Sequence, residues 1–286
     1  MAEQFLHAAN PRDVARIVKG HIKRGLSDAH KARPLLEPGD WLNTDPFLVL
    51  MEDWFPAGVF DQHPHRGLET VTYVVEGKLD HFDNHGNAGI IGEGDVQWLT
   101  AGRGLIHNER PVADLIVHSL QLWVVLPKAD KLVPTHYQTI LGADAPVRRG
   151  PGALLKVFSG SSGNITSGTT NHVPVTMVEL RLEPNIDVSQ DLPAYYNGFI
   201  ILLEGDVFVG SSKTVVKVGE TGWFTRSAVA STVSIQASAH GARAILYAGL
   251  PLNEPLETGG PFVMNTRAEI AEAYREFHAK GERFGL

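Results

Sequence analysis

The sequence contains no cysteine and no long hydrophobic run, and both absences narrow the possible functions. Without cysteine, disulfide bonds, cysteine-ligated zinc sites and thiol catalysis are excluded, while the redox compartment stays undetermined. No stretch approaches about eighteen consecutive apolar residues, so no membrane-spanning helix is predicted. Met1–Gln4 carries an early acid and no apolar core follows it. We therefore read no signal peptide and expect a cytoplasmic protein.

Positive charge is also scarce, because 25 Lys and Arg stand against 32 Asp and Glu and give a formal net charge of -7. Direct nucleic-acid binding needs a basic surface, so this function is not expected. A small basic cluster at Lys19–Arg24, with Lys31 and Arg33, is interpreted as a solvated loop. The length of 286 residues and a hydrophobic content of 43% are typical of a globular protein with one large or two ordinary domains.

Short segments rich in Val, Ile, Leu and Thr lie between frequent glycines and prolines, which number 29 and 17. Many short strands with turns between them are typical of a β-sandwich or β-barrel. The clearest predicted strands are Glu69–Val75, Leu115–Val125 and Phe199–Leu203. Ser159–Thr170 consists of small and polar residues and is predicted to be a surface loop.

One helix is predicted, near the C-terminus. Thr266 and Glu269 have the spacing of a capping box, in which each side chain satisfies a backbone N–H of the first turn. Ile270, Ala273 and Phe277 then fall on one face at helical spacing.

The two halves of the chain contain a faint internal repeat. Tyr73–Leu79 resembles Leu202–Val207, and Gly94–Trp98 resembles Gly219–Trp223. Two copies of one β-barrel are the natural interpretation. We place the two predicted domains at residues 1–140 and 141–286.

Two short pairs of metal-capable residues mark the first half: His63 and His65, then His107 and Glu109. In each pair the side chains are two residues apart, so on a strand both point to the same face. Three imidazoles and one carboxylate can then converge from neighbouring strands on one ion. This donor set suits Fe(II), Mn, Co, Ni or Zn rather than Ca or Mg, and leaves two positions open in octahedral geometry.

Either pair alone could be a coincidence among solvent-facing strand residues, whereas both pairs together favour a metal site. By the offsets of the repeat, the four positions correspond to Asp191, Pro193, Thr232 and Ser234 in the second half. At most one of these residues is metal-capable. The second barrel is therefore expected to bind no transition metal. Its interior is expected to be filled by apolar groups such as Phe199, Ile201 and Trp223, or to remain a small dry cavity.

Other polar residues near these motifs have more ordinary interpretations. His118 is predicted to be packed or hydrogen-bonded within its strand. His81 and His85 flank a turn and are predicted to lie on the surface, although His81 could lean toward the mouth of the barrel. For Glu69 two roles remain open: orienting a histidine N–H, or forming an ion pair with Arg66.

These motifs resemble those of the pirins, which are members of the cupin superfamily, and the resemblance covers most of the chain. It is carried by Asp45–Trp54, His63–Tyr73, Gly94–Gly104 through His107 and Glu109, Gly249–Pro255 and Gly259–Asn265. The chain departs from the general cupin pattern in one respect. Thr100–Gly102, with a longer run to His107, replaces the usual Pro-x-Gly and nearby histidine, and pirins share this departure.

The resemblance implies an all-β bicupin, with two β-barrel (jelly-roll) domains packed face to face and a short C-terminal helix. The N-terminal cupin barrel, residues 1–140, would carry an Fe(II) site with His63, His65, His107 and Glu109 as ligands. The C-terminal cupin barrel, residues 141–286, would lack metal ligands and end in the helix.

The resemblance also implies two rival functions. Some pirins resemble quercetin 2,3-dioxygenases, which open the central ring of a flavonol with dioxygen and release carbon monoxide. Others act as redox-sensitive, iron-dependent partners of transcription factors or metabolic enzymes. We favour the dioxygenase, with Glu109 as the candidate base for the substrate hydroxyl proton and the metal as a Lewis acid. The expected partners are a small aromatic substrate and dioxygen, with no membrane or nucleic acid, and we expect a monomer.

Overall fold

The computed structural model describes residues 10–113 and 115–286 and consists mainly of β-strands. Met1–Gln4, from which no signal peptide is predicted, lie outside the described residues. In chain order the strands are β1 (Pro11–Arg12), β2 (Val14–Lys19), β3 (Lys23–Arg24), β4 (Lys31–Leu36), β5 (Phe47–Phe55), β6 (His63–His65), β7 (Leu68–Glu76), β8 (Lys78–Asp83), β9 (Ala88–Gly92), β10 (Val96–Thr100), β11 (Leu105–Pro111), β12 (Val117–Val125) and β13 (His136–Ile140).

The second half of the chain continues with β14 (Val147–Gly150), β15 (Ala153–Ser159), β16 (Ser161–Ser162), β17 (Ile165–Thr166), β18 (Val175–Leu182), β19 (Asp187–Leu192), β20 (Asn197–Val209), β21 (Thr214–Lys217), β22 (Glu220–Phe224), β23 (Ser231–Gly249), β24 (Glu257–Gly259) and β25 (Phe262–Met264). The α-helices are α1 (Trp41–Thr44) and α2 (Arg267–Lys280), and single 3₁₀ turns occur at Lys128–Asp130 and Gly281–Arg283. Among the described residues, no helix combines the length and the hydropathy needed to cross a bilayer.

The chain forms two compact units that do not follow the division predicted at residues 140 and 141. The first barrel combines Ile22–Ala143 with Leu252–Leu286. The second barrel combines Asp144–Pro251 with the described residues up to His21. The structure therefore differs from the predicted domains at both ends, since each terminal segment belongs to the barrel of the other half.

The N-terminal segment joins the second barrel through backbone pairing. Strand β1 pairs in parallel with β23, and β2 pairs antiparallel with β22. Arg12 is buried, and its guanidinium donates hydrogen bonds to Ser231 Oγ and to the backbone oxygens of Pro193 and Tyr196. A buried guanidinium needs such acceptors, because desolvation of an unpaired charge is costly. The segment is thus held by specific polar contacts as well as by sheet pairing.

The C-terminal helix α2 belongs to the first barrel, and its predicted start is confirmed. Thr266 Oγ1 accepts a hydrogen bond from the backbone N–H of Glu269 at 3.3 Å. The predicted apolar face is also confirmed, because Ala273 is buried and Ile270 and Phe277 pack against it. The same cluster contains Ile106 of β11, which explains why the helix belongs to this barrel.

Two large antiparallel sheets form the body of the first barrel, which also contains the small β24–β25 sheet. Seven strands follow the order β13-β10-β7-β12-β5-β4-β3, and four follow the order β6-β11-β8-β9. A buried apolar cluster joins the two sheets: Phe55, Val74, Leu79, Ile91 and Val117. The predicted strand Glu69–Val75 lies within β7, and the strand predicted at Leu115–Val125 begins two residues later, at Val117.

The second barrel contains a ten-stranded sheet whose main path is β14-β15-β18-β23-β20-β22-β2. Its core includes Ile200 and Leu202 of β20. Side chains alternate along a strand, so Phe199 and Ile201 lie on the opposite face of β20, where Phe199 contacts Trp223 at a ring distance of 4.7 Å. All three predicted residues are buried, but Ile200 and Leu202 are the ones that fill this core.

The turns of the internal repeat have matching backbone conformations. Gly77 and Gly205 have φ values of 91° and 68°, and Gly94 and Gly219 have values of 79° and 84°. Glycine adopts this left-handed region without the steric penalty that a Cβ brings. The predicted loop at Ser159–Thr170 departs from the expectation, because β16 and β17 form a small hairpin within it.

Candidate metal centre

The two predicted histidine and glutamate pairs lie on adjacent strands of the first barrel. Strand β6 pairs antiparallel with β11 so that His63 stands opposite His107, and β8 pairs with β11 so that His81 stands opposite Glu109. His63, His65 and His107 each offer a ring nitrogen, and these nitrogens lie within 4.8 Å of one another. The spacing of two residues therefore brings the three imidazoles together as the sequence predicts.

Backbone carbonyls fix which nitrogen of two of these histidines carries the proton. His63 Nδ1 lies 2.8 Å from the oxygen of Asp61, and His65 Nδ1 lies 3.3 Å from the oxygen of Pro261. A carbonyl can only accept, so both Nδ1 atoms donate and both Nε2 atoms keep a lone pair. His63 Nε2 is 3.1 Å from His107 Nε2. This arrangement, with a carbonyl behind the ring, is usual for histidines that bind metals.

The buried histidines of this group are held in their neutral form. Burial and, to a lesser extent, the neighbouring His63 lower the pKa of His65 to about 3, although the Pro261 carbonyl acts in the opposite direction. Burial also lowers the pKa of His107 well below its usual value, and three neighbouring histidines add to this. Neutral imidazole is the form that coordinates metals. His65 and His107 are thus already in the form that can bind a metal.

Three neutral side chains hold the carboxylate of Glu109. Oε1 accepts hydrogen bonds from Thr72 Oγ1 at 2.9 Å and Gln97 Nε2 at 2.9 Å, and Oε2 accepts one from Gln121 Nε2 at 2.8 Å. These residues lie on β7, β10 and β12, and sequence reasoning missed all three. A polar residue at a buried or half-buried position between apolar neighbours is the signal that could have indicated them.

The structure places the four predicted ligands together only in part. Glu109 groups with His107 and His81, whereas His107 also groups with His63 and His65. Among the described residues, no single group within 4.8 Å contains all four predicted ligands. His107 is common to both groups and is therefore the central residue of the site.

His81 is fully buried, so the prediction that it lies on the surface is wrong. Gln97 Nε2 lies 3.2 Å from His81 Nδ1, and an amide N–H donates, so this nitrogen accepts and the proton lies on Nε2. His81 Nε2 lies 3.6 Å from Asp83 Oδ2, and the ring stacks on Tyr137 at 4.7 Å. Because Gln97 occupies the lone pair of Nδ1, His81 has no nitrogen lone pair left for a metal. It lies beside Glu109 and His107 and supports them instead.

The remaining predicted polar residues lie away from the three histidines. His118 bonds Glu52 at 2.9 Å and stacks on Trp54, which confirms the predicted packed and hydrogen-bonded role. Glu69 Oε1 accepts from Thr100 Oγ1 at 2.8 Å, while Arg66 donates to Glu276. Alternation along β7 places Glu69 on the strand face opposite Thr72, so Glu69 does not orient these histidines.

A cavity of about 170 Å³ adjoins the histidines and Glu109. His63, His65 and Glu109 lie on its wall, and much of the rest is apolar: Met51, Phe55, Phe60, Leu79 and Trp123. A mostly apolar cavity with a few convergent polar groups is typical of a small-molecule site. Nitrogen donors beside a carboxylate suit a divalent transition metal, so the donor chemistry of the wall fits a metal centre.

Two family models match the chain, one for pirin at residues 37–124 and one for the pirin C-terminal cupin domain at residues 177–285. A pirin-like protein of Solanum lycopersicum is 37% identical over 271 residues, which cover 94% of this chain and 92% of the relative. The chain belongs to the pirin family. Both barrels of this pirin are thus cupin domains, and the fold is the predicted all-β bicupin.

Solved structures give the same result for the fold of this pirin. A protein from Geobacillus kaustophilus matches with a TM-score of 0.84 and 46% identity, over 87% of this chain and all of the other. A quercetin 2,3-dioxygenase from Acinetobacter baumannii matches with a TM-score of 0.83 and 29% identity, over 96% of this chain and all of the other. The likeness to a dioxygenase bears on the function proposed below.

The second cupin barrel of this pirin is expected to bind no transition metal. In the backbone register Asp191 stands opposite Thr232, in the same way that His63 stands opposite His107. Asp191 Oδ1 already accepts a hydrogen bond from the backbone N–H of Gly163. Elemental analysis of fully loaded protein should therefore give one metal per chain, and anomalous scattering from a second, fully occupied site in that barrel would contradict this.

Proposed function

We propose that this pirin binds Fe(II) at His63, His65, His107 and Glu109, and that it is a dioxygenase which opens a flavonol ring and releases carbon monoxide. The observation that carries the proposal is a cluster of three histidines, of which His65 and His107 are buried and neutral, beside a carboxylate at a mostly apolar cavity. The likeness to a quercetin 2,3-dioxygenase over nearly the whole chain supports the same activity. We further propose that the protein acts as a cytoplasmic monomer.

In this proposal the three histidines are ligands that hold the metal. The carbonyls of Asp61 and Pro261 hold the rings of His63 and His65 beside the ring of His107, and His63 Nε2 lies 3.1 Å from His107 Nε2. Iron bound there would supply Lewis acidity that stabilises the deprotonated flavonol. Mn, Co, Ni or Zn could replace iron in the same donor set.

Glu109 is the proposed base for the flavonol 3-hydroxyl. The O–H bond breaks and its proton passes to Glu109 Oε2, the oxygen that accepts one hydrogen bond where Oε1 accepts two. Gln121 donates to Oε2 and keeps it in place, while Thr72 and Gln97 hold the other oxygen. The apolar cavity wall keeps water from competing for the hydroxyl proton and for the deprotonated ring.

Iron-loaded protein mixed with quercetin without oxygen, then exposed to air, is expected to bleach the flavonol band and to release about one carbon monoxide per flavonol consumed. The two signals are followed together by absorbance and by gas analysis of the headspace. Metal-free protein is the control and should leave the band unchanged. Bleaching without carbon monoxide would contradict the proposal. Iron-loaded protein that is inert toward flavonols would instead favour the metal-dependent, redox-sensitive binding protein.

A further inference from the structure

The cavity beside the histidines has a second polar wall, which the proposed reaction does not use. Asp53 of β5 stands directly opposite Ser119 of β12 in the backbone register, and both side chains line the cavity. Asp53 is 6% exposed, and its neighbours on the cavity wall include Phe55, Phe60 and Leu79. An acid among apolar side chains is costly to bury, so its presence needs a physical reason.

The acid lies one row of side chains away from Gln121, the residue that holds Glu109 Oε2. Along β12, Ser119 and Gln121 both face the cavity, and Gln121 is the residue that donates to Glu109 Oε2. The row of Asp53 and Ser119 is two residues from the row of Gln121 and Met51. Strands rise by about 3.3 Å per residue, so the two rows are about 7 Å apart. A ligand that touches both walls therefore needs the width of one aromatic ring with a polar substituent.

His30 holds Asp53 in place with a known tautomer. The backbone N–H of Leu26 donates to His30 Nδ1 at 2.9 Å, so the ring proton lies on Nε2 and is donated to Asp53 Oδ1 at 2.8 Å. The His30 ring also packs edge-on against Phe55 and Phe60. These contacts fix the carboxylate from one side and orient it relative to the cavity.

Gly25 is needed for this arrangement, because a Cβ there would lie 2.2 Å from His30 Nδ1. Among the described residues, His30 is the one side chain that hydrogen-bonds Asp53. A carboxylate can accept about four hydrogen bonds, so Asp53 retains acceptor capacity for a ligand. Burial raises the pKa of the Asp53 carboxyl above its usual value, and the His30 contact opposes this.

We propose that Asp53, oriented by His30, accepts a hydrogen bond from a hydroxyl on the substrate ring that enters the cavity, and so selects hydroxylated aromatic substrates. This inference rests on the proposed function for the position of the reacting end. The volume of about 170 Å³ is below the roughly 300–1,000 Å³ of pockets that enclose drug-sized ligands, so one ring is inside. The rest of a flavonol leaves the cavity beside His63, which is partly exposed. Asp53 is a positioning residue that touches substrate away from the reacting atoms.

The test compares quercetin with 3-hydroxyflavone, which keeps the reacting hydroxyl and lacks the others. Binding of each to the metal-loaded protein is measured without oxygen, by titration. Asp53→Asn keeps the shape but presents an N–H₂ group to the cavity, because its oxygen is retained by His30. The variant is expected to bind quercetin about 10- to 100-fold more weakly, the usual scale for a hydrogen bond to a charged group, and 3-hydroxyflavone within about two-fold of wild type.

Glu52→Gln is the matched control. Glu52 is an equally buried acid next to Asp53 on β5, but it faces the other side and pairs with Arg33 and His118. It should weaken neither ligand selectively. Equal affinity changes for both ligands in Asp53→Asn, or no change for quercetin, would overturn the inference.

A second measurement avoids dependence on the folding of the variant. Among flavonols that carry one additional ring hydroxyl each, the wild-type protein should bind at least one isomer about 10-fold more tightly than 3-hydroxyflavone. If no single hydroxyl improves binding, the inference is wrong. Because binding is measured without turnover, selective binding by an inert protein would sustain this inference and remove the proposed dioxygenase. Turnover without hydroxyl selectivity would do the reverse.

Discussion

Replacing His107 by alanine is expected to lower the metal affinity by on the order of 100-fold or more, a larger loss than the 10- to 100-fold of changes behind a ligand. His107 belongs both to the histidine group with His63 and His65 and to the group with His81 and Glu109. Its removal therefore weakens metal binding by either group of residues. Elemental analysis after dialysis against a weak chelator is the direct measurement.

The His107→Ala variant should remain folded, because the apolar cluster that joins the two sheets of the first barrel does not include it. Thermal unfolding of the metal-free proteins checks this point separately from metal content. His118→Ala is the matched control, since His118 lies on the cavity-averted face of β12 and bonds Glu52. The control should keep its metal. Undiminished metal in His107→Ala would show that the site has been assigned wrongly.

Glu109→Gln is expected to lower the activity per bound metal by on the order of 10²-fold or more, which is the usual scale for loss of a general base. The side chain keeps its shape but loses its charge and its ability to take a proton. Its new N–H₂ group would also face a donor that now bonds Glu109, either Gln121 on one side or Thr72 and Gln97 on the other. Metal affinity should fall as well, because a neutral amide oxygen is a weaker ligand.

Reconstitution of Glu109→Gln with excess Fe(II) separates these two effects. Restored metal without restored turnover of quercetin supports the role of base, whereas restored metal with full turnover would leave Glu109 as a ligand alone. Glu69→Gln is the control, because Glu69 is a buried acid on the opposite face of β7 and bonds Thr100. It should keep both its metal and its turnover.

The sequence predicts those parts of the site that depend on short spacing. Pairs two residues apart must share a strand face, so the convergence of His63, His65 and His107 follows once β6 and β11 are neighbours. Gln97 and His81 depend on contacts between β8, β10 and β11, and no local period marks such contacts. The burial of His81 could therefore not be predicted, because the only local signal was the turn that it flanks.

The same reasoning explains which parts of the fold could be predicted. The capping box at Thr266 and Glu269 is a local signal, and the helix begins where it predicts. The barrel to which each terminal segment belongs is set by contacts between residues far apart in the sequence. Strand β1 has two residues and no alternation to detect, and it is recognised only through its pairing with β23.

The exchange of terminal segments between the barrels has a consequence for synthesis on the ribosome. A chain that emerges from its N-terminus usually folds its first domain before the next one is made. Here the first barrel includes Leu252–Leu286, so it lacks helix α2 until the residues of the second barrel up to Pro251 have been made. The strands β1 and β2 emerge before strands β3 to β13 of the first barrel, yet their sheet partners β22 and β23 are made only after these. Neither barrel is therefore complete until most of the other has been made, and cutting the chain at residue 140 would deliver two incomplete barrels.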